Sequence, residues 1–238
     1  MNYRSLMLLG VVFAWLALAM SEFQHSKAAK DSNSVRDIKD EAQRSEMAAQ
    51  VFQEIMDTPG KGIPKDLFDS ARCVAVFPNV LKTGFVVGGS GGLGVASCRT
   101  PRGWSSPAYF NLDRGSFGLQ IGAQSTDFVL LFMDDGGMNS LLSDQFTLGS
   151  DASVAAGPVG HQAKASTDAK SQPQILSYTR RKGLFAGLEL KGVVIKTDKE
   201  DIHAVYGGSV TCKEVLNRSS VTTPAPVAAY PKILNRFS

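Results

Sequence analysis

From Val35 onward the apolar residues Val35, Ile38, Ala42, Ala49, Phe52 and Met56 fall on helical spacings, with charged residues between them. That pattern predicts an amphipathic helix, apolar on one side and charged on the other. Ser34 followed by Asp37 predicts a capping box at its start, and Thr58, Pro59 and Gly60 predict its end. A second, shorter helix is expected from about Pro64, burying Leu67, Phe68 and Ala71.

Beyond Ala71 the periodicity changes. Cys73 to Phe77 is a strand-like run ended by Pro78, and from there to about Ile195 short β-branched or aromatic runs alternate with glycine. The further predicted strands are Thr83 to Val87, Leu93 to Arg99, Ala108 to Leu112, Ser116 to Gln124, Thr126 to Met133, Ile175 to Thr179 and Gly183 to Ile195. Strands so close in sequence leave no room for crossover helices, so the sheet should be mainly antiparallel. Short helices are expected at Met138 to Gln145, around Asp198 to Ala204 and near Cys212 to Leu216. The predicted fold class is α+β: N-terminal helices, then a glycine-rich, barrel-like, mainly antiparallel β-sheet with short inserted helices.

The two ends of the chain read differently from its middle. Leu6 to Ala19 is an uncharged apolar run of 14 residues behind Arg4, the layout of a secretory signal peptide with cleavage after Ala19. A retained anchor is the rival reading, but a membrane span needs about 20 apolar residues. Export, to a periplasm or cell envelope, is therefore expected. Residues 20–33 read as a linker, 34–217 as one domain, and 218–238, rich in proline and alanine and without periodicity, as a flexible tail.

Composition narrows the functional classes. With 43% hydrophobic residues, 20% charged residues and 23 glycines among 238, the chain is an ordinary globular one. Its net charge is only +3, which disfavours a nucleic-acid partner bound by phosphate neutralisation. Cys73, Cys98 and Cys212 allow at most one internal disulfide, and buried thiols are the alternative. His25, His161 and His203 are scattered, no cysteine or histidine pair has metal spacing, and no metal or cofactor is expected.

Residues Gly88 to Gly94 match two enzyme patterns, a dinucleotide fingerprint on Gly89, Gly91 and Gly94 and a nucleophile elbow around Ser90. Both chemistries need a helix directly after the glycines, and Val95 to Pro101 is too short and too soon broken to supply one. A segment where backbone passes close to something else explains the glycines better, and no enzymatic activity is expected. Asp134 and Asp135 before two glycines read as a solvated turn. The remaining chemistry is basic: Lys61 and Lys65 beside the second helix, Lys82 before a strand, and the run Arg180, Arg181, Lys182. Simple surface solvation accounts for such residues too, whereas the functional reading is contact with anionic lipid.

Several stretches, in order and spacing, resemble the SYLF family. They are Ile63 and Pro64 with Val74 to Pro78, Lys82 to Gly89 with Gly91 to Val95, Trp104 to Phe110, and Gly118 to Gly122. Thr126 to Leu131, Asp151 to Pro158, Ser177 with Tyr178, and Gly183 to Gly187 continue the likeness over roughly residues 40–217. The resemblance implies a lipid-binding domain, helped in some members by an amphipathic N-terminal helix and basic residues, with actin binding in a subset. In an exported bacterial-type member the expected partner is an anionic phospholipid or membrane surface, met by an apolar face of the Val35 to Met56 helix or by the loops beside Gly88 to Gly94 while nearby cations hold the headgroups. The alternative partner is another protein, or a second copy of the chain, in a structural envelope role. The candidate lipid-binding residues are Lys61, Lys65, Lys82, Arg180, Arg181 and Lys182.

Overall fold

The computed structural model describes residues 38–58, 60, 62–80, 91–114, 125–159, 173–181, 184–187, 190–217 and 220–238. The predicted leader, linker and strands Thr83 to Val87 and Ser116 to Gln124 lie outside them, as do Lys61, Lys82 and Lys182. Helix α1, residues 38–57, forms where the periodicity predicts a helix, but its inward face is shifted by about one position: it buries Ala48, Val51, Phe52 and Ile55, while of the predicted stripe Phe52 is buried and Ile38, Ala42, Ala49 and Met56 are half-buried. It ends where the Thr58 hydroxyl donates to the Glu54 carbonyl. Helix α2, Lys65–Ser70, starts directly after Pro64 and buries Phe68, whose ring lies 5.2 Å from that of Phe52.

The strands are β1 (Cys73–Val80), β2 (Gly92–Thr100), β3 (Gly103–Trp104), β4 (Ala108–Arg114) and β5 (Thr126–Phe132). They continue with β6 (Gln145–Thr147), β7 (Val154–Ala156), β8 (Ile175–Arg181), β9 (Leu184–Gly187) and β10 (Val193–Thr197). All belong to one sheet ordered β6-β10-β4-β2-β1-β5-β8-β7, with β3 beside β2 and β9 beside β8. Every pairing is antiparallel except β7 with β8. The expectation of an α+β, mainly antiparallel sheet is met. The sheet curls into a half-barrel: β5 is buried along its whole length, so both its faces are covered. Its two end strands are consecutive in sequence. The chain passes from β6 to β7 through residues 148–153, where Leu148 bridges Ala152, so opposite edges of the sheet meet at that point.

The glycines after residue 90 have the packing role expected of them. At Gly92 and Gly94 a Cβ would collide with the Val80 side chain and the Phe77 ring. They open a strand, β2, and not the helix that either enzyme pattern requires.

Several predicted boundaries move. Strand β1 continues past Pro78 to Val80 because a bulge, with Asn79 at φ 51°, takes up the proline. Asp134 is not part of a loose solvated turn. It caps helix α3, Asp135–Leu141, by accepting from the Gly137 amide at 2.7 Å, so that helix begins three residues before the predicted start. The single strand predicted over Gly183 to Ile195 is two, β9 and β10, separated by a turn with Gly192 at φ 79°. Helices α4, Lys199–Tyr206, and α5, Cys212–Asn217, lie close to their predicted positions.

The largest correction concerns the C-terminal segment read as a flexible tail. A short 3-10 turn, Ala225–Val227, leads into helix α6, Ala229–Phe237, which buries Tyr230, Pro231, Ile233 and Leu234. The Tyr230 hydroxyl donates to the Val74 carbonyl on β1 at 3.0 Å. Ser45 on α1 donates to the Val227 carbonyl and accepts from the Tyr230 amide, while the Phe237 ring lies 6.0 Å from Phe52. Apolar burial and satisfied buried polar groups thus hold α6 against both α1 and the sheet.

Candidate functional site

Strand β8 carries Arg180 and Arg181, while Lys65 opens α2, so among the described residues the predicted cations stand on separate elements. The Arg180 guanidinium is engaged inside the protein. Its Nε donates to Asp127 Oδ2 at 2.6 Å, and its Nη1 forms an ion pair with Glu54 Oε2 of α1. The Asp127 side chain is 7% exposed and also accepts from the Asn79 amide at the β1 bulge. Burial pushes Arg180 below the usual guanidinium range and Asp127 above the usual carboxylate range, the desolvation cost of a partly buried pair. The arrangement ties α1, β5 and β8 together and leaves little of Arg180, 20% exposed, for a ligand.

A second charged group lies under the other half of α1. Arg44, 6% exposed, pairs with Glu41 Oε1 at 2.5 Å and with Asp201 Oδ2 of α4 at 2.9 Å, and its guanidinium sits 5.5 Å over the Tyr109 ring. Burial, reinforced by the neighbouring Asp201, pushes the Glu41 carboxyl up to about 10 against the opposing pull of Arg44. Among the described residues neither Glu41 Oε2 nor the Tyr109 hydroxyl has a hydrogen-bond partner. Asp198, which caps α4 and accepts from Asn111 at 2.9 Å, completes the polar seam between α1, β4 and α4.

Outside this seam lies a cleft of about 780 Å³, lined by Arg44 and Met47 of α1, Asn79, Leu93, Asn111 and Lys196, among others. Leu93 is the large hydrophobic side chain that stands exposed among the described residues. Against the expectation that α1 presents an apolar face to lipid, its large apolar side chains among the described residues are buried in the core or half-buried beside it. Among the described residues no helix is long and apolar enough to cross a membrane, and no His, Cys, Asp and Glu cluster has the makeup to hold a metal ion.

Lys65 has a different setting. Its side chain is 61% exposed, paired with Asp69 at 2.8 Å, and its Nζ also donates to the Phe237 carbonyl at the C-terminal end of α6 at 2.9 Å. This link between a predicted cation and the C-terminal helix was hidden by reading residues 218–238 as a tail. A signal for that helix does exist: Tyr230, Ile233, Leu234 and Phe237 stand at i, i+3, i+4 and i+7.

The cysteines divide two to one. Cys73 and Cys98 face each other across β1 and β2 and form a disulfide, while Cys212 is a buried free thiol pushed up to about 12 by burial, which keeps it unreactive.

The family described as "Ysc84: Las17-binding protein actin regulator" matches residues 113–237, a span that runs through α6. The chain is similar to "SH3 domain-containing YSC84-like protein 1" of Rattus norvegicus, 30% identical over 205 residues, which make up 84% of this chain and 60% of that protein. The Homo sapiens protein of the same name is 29% identical over 207 residues, 84% of this chain and 59% of the relative. "LAS seventeen-binding protein 3" of Saccharomyces cerevisiae is 32% identical over 167 residues, 68% of this chain and 36% of the yeast protein. This chain therefore spans about three fifths or less of the length of these relatives.

Proposed function

Since the chain belongs to the Ysc84 family of Las17-binding protein actin regulators, we propose that it works as a non-catalytic binding domain, exported from the cell, whose partner is an anionic phospholipid surface. The observation that carries this reading is the placement of Lys65, 61% exposed and sharing its charge with Asp69, on a molecule whose described large apolar side chains, Leu93 excepted, are buried or half-buried. Such a surface engages headgroups by charge from outside the bilayer, each basic residue adding about 1 kcal/mol near an anionic membrane. Export is supported by the apolar run Leu6 to Ala19 and by the Cys73–Cys98 disulfide, a bond that persists in oxidising compartments.

Vesicle co-sedimentation of the protein tests the reading. Retention on phosphatidylglycerol-containing vesicles at low salt, release at high salt and no retention on phosphatidylcholine are the expected results. Equal partitioning onto both, or onto neither, defeats it.

A second reading, attachment to a protein partner or to a second copy of the chain, draws on the names of the relatives, which are Las17-binding and SH3-containing proteins. Crosslinking and size measurement separate the two: a tight homodimer or a stable protein complex indifferent to vesicles favours the second.

A further inference from the structure

The geometry points to the outer stripe of α6, flanked by the β2–β3 turn and Lys65, as the face that lies on the anionic surface. This rests on the lipid reading above and adds a place to it.

The pattern of α6 selects the stripe. Positions 230, 231, 233 and 234 face inward, while Lys232, Asn235 and Arg236 face solvent. Lys232 and Arg236 are four residues apart, one helical turn, and therefore project side by side. Asn235 between them fixes the neighbouring turn: its Oδ1 accepts from the Trp104 amide at 3.2 Å, and its amide group fills the space where Gly103 has no Cβ. Exposed Arg102 is thereby held beside the helix. Arg99 stacks 4.5 Å from the Trp104 ring centre and reaches the Ser238 hydroxyl at 3.4 Å, and Lys65 closes the group from α2.

Cations from three parts of the sequence thus gather round one short helix, which contributes no carboxylate of its own. After Glu214 the chain has no acidic residue, nor has the stretch Arg99 to Trp104. The acids that α2 presents are Asp66 and Asp69, of which Asp69 pairs with Lys65. Trp104, the large aromatic of the turn, is covered and donates its indole N–H to Ser238 at 2.7 Å, so contact here is polar. Guanidinium and ammonium groups spread along a helix and a turn suit many separate phosphates on a plane.

The test compares the full chain with K232E/R236E and with K199E/K213E, a control that changes the net charge equally on α4 and α5. Vesicles of phosphatidylcholine with and without phosphatidylglycerol are the probe. The α6 variant should lose at least about tenfold in partitioning onto anionic vesicles, and the control less than about threefold. K232Q/R236Q should fall between, which keeps the test meaningful if charge reversal disturbs folding. Wild-type binding that both double reversals weaken equally, or that K232E/R236E leaves intact, overturns the α6 assignment while leaving the lipid reading in place. Failure of the wild type to bind any vesicle, or capture by polyglutamate in preference to vesicles, removes both.

Discussion

Arg180 and Arg236 are both arginines at the rim of a packed element, yet they stand in opposite electrostatic situations. Arg180 lies between Asp127 and Glu54, contributed by a strand and a helix that are distant in sequence, and its charge is answered within the fold. Arg236 projects from a helix that contains no acidic residue, with its guanidinium 5.6 Å over the adjacent Phe237 ring. The difference teaches that a run of basic residues says little about where positive charge reaches solvent. What matters is whether the tertiary structure delivers carboxylates to it.

The contrast can be broken most forcefully from the α6 side. Leu234→Ala, which empties a fully buried position, should lower the unfolding free energy by about 3–4 kcal/mol in a denaturant titration. An effect near zero would mean that α6 is not docked. On the other side, Asp127→Ala strands Arg180 in a half-buried setting and should cost about 2–3 kcal/mol, with Glu54 still able to hold part of the charge.

Glu41→Gln sharpens the point by removing a charge problem. The folded protein keeps a proton on Glu41 up to a pH of about 10, whereas the unfolded chain releases it near the ordinary 4.5. Between those values this group makes stability fall as pH rises. Glutamine has no proton to lose, so the variant should unfold at a higher temperature than wild type at pH 8 and at the same temperature at pH 4. Tyr230→Phe should cost about 1 kcal/mol by leaving the Val74 carbonyl without its donor. The smallest stability effect, under about 0.5 kcal/mol, is expected for K232E/R236E, since surface charges away from partners contribute little to folding. Near-silence in unfolding with a large loss on vesicles would set a binding surface apart from a structural ion pair.

Much of this architecture could be read from residue order. Helix α1 declares itself by apolar spacing, α2 by the proline before it, and strands β1, β4, β5 and β8 as short β-branched or aromatic runs bounded by glycine, proline or polar residues. Strands β6 and β7 are three residues each, too short for any period, and owe their existence to neighbours already in place. Helix α3 hid behind Asp134 and Asp135, whose role depends on whether a side chain turns back to cap the chain. Helix α6 hid behind Pro224, Pro226 and Pro231, although Pro231 sits in its first turn, where a missing N–H costs nothing. Of the candidate binding residues, Lys65 could be picked out as an exposed cation. The engagement of Arg180 could not, because Glu54 stands 126 positions away in the sequence.

The handshake between Ser45 and Tyr230 joins positions 185 residues apart. Such a closure forbids an early, piecemeal finish: the groove on α1 and β1 stays unfilled until the segment around Tyr230 has been made, so contacts of the longest sequence span are the last that this part of the fold can form.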